Sequence, residues 1–122
     1  MSRIFIAEDQ PDLARVLKTM LEEAGHEIRT FSESESALKA MLKDPPDALI
    51  ADVDMASSGG CTLCEQIDRC LPRRRFPIFL LASNGTLEGL GRYAAMADVH
   101  VMQKPVALNR IDSGDSSGES SA

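Results

Sequence analysis

The 122-residue chain is 43% hydrophobic and 4% aromatic, lacks tryptophan, and carries a formal net charge of −6. That length supports one domain with an aliphatic core, and the acidic balance argues against direct nucleic-acid binding, which asks for a basic face. No apolar run approaches the roughly 20 residues of a membrane span, and the Met1-Ser2-Arg3 start is no signal peptide, so a soluble, cytoplasmic chain without a membrane partner is expected.

The chain alternates strand and helix patterns. Residues 3–8 read as a buried strand, and Pro11-Asp12 open a helix whose apolar side is Leu13, Val16, Leu17, Met20, Leu21 and Ala24, with Gly25 as its stop. Residues 27–31 form a shorter, more polar strand suited to a sheet edge. Ser34 or Ser36 can cap a helix carrying Ala37, Leu38, Met41 and Leu42, which Pro45-Pro46 terminates. Residues 47–52 are the most apolar strand, hence central. After the Ser57–Gly60 loop a helix runs to about Leu71, where Pro72 stops it.

Arg73, Arg74 and Arg75 then read as a solvated basic loop. Residues 77–82 form the fourth strand, residues 87–97 a weakly patterned helix, and residues 98–103 a short fifth strand. Asp112–Ala122 is Gly/Ser-rich and acidic, with nothing to bury, and reads as disordered. One domain is expected over residues 1–111, followed by the tail 112–122. Strands alternating with helices imply parallel pairing and a flavodoxin-like α/β sheet of order 2-1-3-4-5. The Cys61-Thr62-Leu63-Cys64 motif matches C-x-x-C, but with Ile67 and Leu71 it fits one apolar helix side, so a structural role is the stronger reading.

Chemistry concentrates at the strand ends. Glu8-Asp9 closes the first strand, Asp52 the third, Ala82-Ser83-Asn84 the fourth and Lys104-Pro105 the fifth. In parallel sheets these ends form one crevice. Three carboxylates and an ammonium meeting there suit a hard divalent cation and an anionic group. Asp52, alone at the end of the most buried strand, is the nucleophile candidate.

These motifs, in this order and spacing over residues 3–105, resemble the receiver domain of bacterial response regulators. The resemblance implies a signalling domain rather than a turnover enzyme. By that resemblance it would be phosphorylated on Asp52 by a histidine kinase or phosphotransfer protein, with Lys104 pairing the phosphoryl oxygens. Mg2+ would be held by Glu8, Asp9, Asp52 and the backbone carbonyl of Asp54. Ser83 and Asn84 neighbour the phosphoryl loop, and the bond before Pro105 is usually cis in that family.

Two departures stand out. The family's switch hydroxyl falls at Ala82 and its switch aromatic at Val101, so neither partner of the usual coupled movement is present. After Lys104-Pro105, residues 106–111 provide about one turn where the family has a full amphipathic helix, so the final helix is expected to be short or missing. The alternative reading is therefore a pseudo-receiver, an interaction module with little phosphorylation dependence, and a homodimer is a possible arrangement. An aspartyl phosphatase would need a cap insertion, for which this length leaves no room.

Overall fold

The computed structural model describes residues 2–55, 60–83 and 90–104. Five parallel strands, β1 (Arg3–Ala7), β2 (Glu27–Phe31), β3 (Ala48–Asp52), β4 (Ile78–Ala82) and β5 (Val99–Gln103), pair in the order β2-β1-β3-β4-β5. The helices are α1 (Pro11–Glu23), α2 (Ser34–Lys43), α3 (Gly60–Cys70) and a single turn, α4 (Gly91–Ala94). This is the flavodoxin-like order, with β3 central and β2 at an edge. The expected fourth-helix start at 87–89, the turn at 106–111 and the tail at 112–122 lie outside the described residues.

Side chains alternate across the sheet, and the two faces are covered unequally. On one face Phe5, Leu49, Ala51, Ile78 and Leu80 pack beneath α2 and α3, with Tyr93 and Met96 alongside. On the other, Ile4, Ile6, Ile50 and Leu81 pack under Leu17 and Leu21 of α1, with Phe79 and Met102 at the margin. Among the described residues α1 is the one helix on that second face.

Two glycines set where helices begin and end. Gly25, at φ 100°, follows the α1 C-cap; its N–H donates to the Glu22 carbonyl and that of His26 to the Leu21 carbonyl, so the last carbonyls of α1 are satisfied. Gly60 opens α3 so close to the sheet that a Cβ there would lie 3.1 Å from Leu80 Cδ2 and 3.3 Å from the Ala51 carbonyl.

The structure corrects three expectations. The buried stripe of α1 is Ala14, Leu17 and Leu21; Val16 (50% exposed) and Met20 (48%) lie outside it, as does Ala24, and Leu42 of α2 is also exposed at 49%. A helix lying on a sheet buries a narrower arc than one wrapped by neighbours. Neither serine caps α2: Glu33 occupies the cap position without a side-chain bond, and Ser34 is inside the helix and buried. Arg74 is not solvated. Its side chain is 7% exposed, and it donates to the carbonyls of Phe76 (3.2 Å) and Ala97 (2.6 Å). Cys64 is a buried core residue whose thiol burial pushes up to about 11, in keeping with a structural role.

Candidate functional site

The central strands β1 and β3 are buried along nearly their whole length, so their pleat and register decide what projects beyond their ends. β1 releases Glu8 immediately after Ala7, with the Glu8 N–H still donating to Phe31 of β2 (2.9 Å). β3 ends in Asp52, which is 2% exposed. One oxygen of each of Glu8, Asp9 and Asp52 lies within 4.8 Å of the others. All three are oxygen donors, the ligand type that hard cations take.

Lys104 arrives from β5. Its backbone N–H donates to the Ala82 carbonyl (2.9 Å), which seats the residue against the end of β4. Its Nζ lies 2.9 Å from Asp52 Oδ2 and 3.4 Å from Asp54 Oδ2. Asp52 Oδ1 accepts the Asp54 N–H at 2.8 Å. The Asp52 carboxylate is thus held at both oxygens, one by a backbone amide and one by an ammonium. Burial works against the charge on Lys104, but its hydrogen bond to Asp52 and the surrounding carboxylates outweigh this and hold its pKa above the usual value.

Glu8 is the most perturbed member. Burial first, then the Asp52 carboxylate with which its proton can be shared, push it up to about 8 against the lowering effect of the Gln10 N–H. Its Oε1 is buried without a hydrogen-bond partner among the described residues. A buried oxygen left open beside two further carboxylates fits a cation-binding set.

The sheet brings Glu8, Asp9, Asp52, Asp54 and Lys104 to one end. Ala82 is fully buried at the end of β4, and the ladder pairs Leu80 with Val101 and Ala82 with Gln103 without a slip. Ser83 lies one residue beyond, its N–H 3.4 Å from Asp54 Oδ2. Asn84 and Pro105 lie outside the described residues. The sequence marks the Asp54 side chain as an extra negative charge near the site; the structure adds its contacts, for it receives both Lys104 and the Ser83 amide. Its position two residues after Asp52, in a turn, was the available signal.

The chain belongs to the response regulator receiver domain family, whose model matches residues 4–113. It is a receiver domain of a two-component system. It is 30% identical over 112 residues to a response regulator receiver protein of Anaeromyxobacter sp. (strain Fw109-5), covering 91% of this chain and 46% of that protein. The alkaline phosphatase synthesis transcriptional regulatory protein PhoP of Bacillus subtilis is 28% identical over 81 residues, 66% of this chain and 33% of PhoP. The chain thus spans less than half the length of either curated relative. A solved sensor protein from Polaromonas sp. JS666 superposes with a TM-score of 0.76 at 28% identity, covering 89% of this chain and 88% of that one.

The Glu8 shift predicts a pH dependence. Between the ordinary carboxylate value of 4.5 and about 8, the folded protein retains a proton that the unfolded chain has released. Stability therefore falls as pH rises through that window. In chelator-treated protein the melting temperature should drop by roughly 10 °C between about pH 5.5 and pH 8, and Glu8→Gln should remove most of that drop. An equal slope in wild type and variant would place the titration elsewhere.

Proposed function

We propose that this receiver domain accepts a phosphoryl group on Asp52 from a histidine kinase or phosphotransfer protein in the cytoplasm, with Mg2+ as its cofactor. The observation that carries the reading is the buried Asp52 carboxylate, paired with Lys104 and set beside Glu8 and Asp9. An Asp52 oxygen attacks phosphorus, and the donor's phosphorus–nitrogen bond breaks as the phosphorus–oxygen bond forms, leaving an acyl phosphate. Lys104, already 2.9 Å from Asp52 Oδ2, follows the charge onto the phosphoryl oxygens. Asp9, Asp52, the Asp54 carbonyl and Glu8, directly or through water, would hold Mg2+, which when bound supplies the positive charge that offsets the gathered anions. Hydrolysis of the acyl phosphate resets Asp52, which makes the domain a timed signal rather than a turnover enzyme. With a net charge of −6, any DNA-directed output falls to a partner or a further domain.

Incubation with acetyl phosphate and Mg2+ should add one phosphoryl mass to the intact protein, and Asp52→Asn should abolish the addition. Labelling that persists in the variant would mean that another residue is the acceptor.

A second reading, a pseudo-receiver with constitutive contacts, is favoured by Ala82 and Val101. A bound group shifts an equilibrium only through differential contacts with its two states, and here the hydroxyl and ring that would supply them are missing. The half-buried Phe79 and Met102, and the Phe79–His100 ring stack at 5.2 Å, leave apolar surface near β5. On this reading a homodimer or partner complex forms on the α4–β5 surface largely regardless of phosphorylation. Light scattering should give the same mass with and without a beryllofluoride phosphoryl mimic. A monomer that dimerises only with the mimic would restore the ordinary switch.

A further inference from the structure

We propose that the end of the sheet remote from Asp52 carries a second binding site, for a small organic anion with an apolar ring. The site is a cavity of about 530 Å³ between the α2–β3 loop and the α3–β4 loop. That volume is in the range of small-molecule pockets, which are concave, mostly apolar and largely preformed.

Its walls are apolar and fixed. Pro46 and Phe76 are buried, Leu71 is half-buried, and Pro72 completes the lining. Prolines restrict both loops, and one arginine pins each of them. Arg3 holds the first: its Nη1 donates to the Pro45 carbonyl at 2.9 Å, and its backbone N–H donates to Asp47 Oδ2 at 2.7 Å. Arg74 holds the second through the carbonyls of Phe76 and Ala97. A cavity whose walls are already ordered asks little further ordering of its occupant.

The charge pattern selects that occupant. Arg73 and Arg75 line the same cavity, are exposed, and engage no carboxylate among the described residues. The lining includes one acid, Asp47, which is engaged by the Arg3 amide. In a chain of net charge −6, two unpaired guanidiniums over an apolar cavity form a local anion site. A purely apolar ligand would leave them unused. The acidic tail of this chain, residues 112–122, would meet the arginines but has no large apolar side chain to fill the space. An aromatic carboxylate, sulfonate or phosphate satisfies both features. Because Asp52 is at the other end of β3, the two sites can be occupied together.

Anilinonaphthalene sulfonate, a fused ring system with one anionic group, is the probe. Titrated into the full chain at low salt, it should bind saturably at about one dye per chain, and neutral N-phenylnaphthylamine should bind about tenfold more weakly. Arg73→Glu/Arg75→Glu should weaken the sulfonate dye by about tenfold or more, while Arg73→Lys/Arg75→Lys should keep it within about threefold. Thermal melts confirm that both variants fold. Cys70, exposed and lining the cavity, should react with iodoacetamide several-fold more slowly under saturating dye, while half-buried Cys61 at the far end of α3 should not change. Dye binding unaffected by the charge reversal, binding at many sites, or a Cys70 rate indifferent to dye would each overturn the proposal.

Discussion

The gathering of like charges at one end of a parallel sheet is the constraint on which the rest of this fold depends. One oxygen of each of Glu8, Asp9 and Asp52 lies within 4.8 Å of the others, and among the described residues Lys104 is the one ammonium paired with them. Such a cluster works against folding, so the strands that present it must be stabilised by other means. They are: Ile6, Ala7, Leu49, Ile50 and Ala51, the residues leading into the acids, are fully buried and apolar. Glu8 absorbs part of the repulsion by holding a proton, and Lys104 absorbs another part at Asp52.

Much of this arrangement was legible in the chain, for particular physical reasons. Strands β1 and β3 are apolar runs closed by acids, and β2 is visibly more polar, so the sheet order and its edge follow from burial. The Gly25 stop was readable because a positive φ after a helix nearly demands glycine. The failures share a cause, since each depended on tertiary neighbours. Val16 and Met20 match the helical period but fall outside the arc that α1 presents to the sheet. Arg74 has the composition of a solvated loop, yet its guanidinium stitches the α3–β4 loop to Ala97 before β5. The Asp54 side chain is one more acid in sequence, and only the fold shows Lys104 shared between it and Asp52.

The same sheet presents opposite electrostatics at its two ends. Acids collect where the strands finish, whereas Arg73 and Arg75, without a carboxylate partner among the described residues, lie where β4 begins, above prolines and Phe76. Between them, the positions at which the family resemblance implies a switch hydroxyl and a switch aromatic are aliphatic, Ala82 and Val101. On the proposed reading, such a receiver would have an acceptor carboxylate at Asp52 and little of the machinery that reads it. Its output would then lie in which surfaces it exposes constantly.

On the proposed function, the acidic end of the sheet would hold a cation centred on Asp9, Asp52 and Asp54. Substoichiometric Mn2+, followed by amide NMR spectra, tests it most directly, because paramagnetic broadening reports distance from the ion. Such a site should give selective loss of the Asp9, Val53, Asp54 and Ser83 amides, reversed by excess Mg2+, while those of Arg73 to Phe76 at the opposite end persist. Broadening spread along the exposed acids of α1 and α2, or confined to the tail, would contradict it.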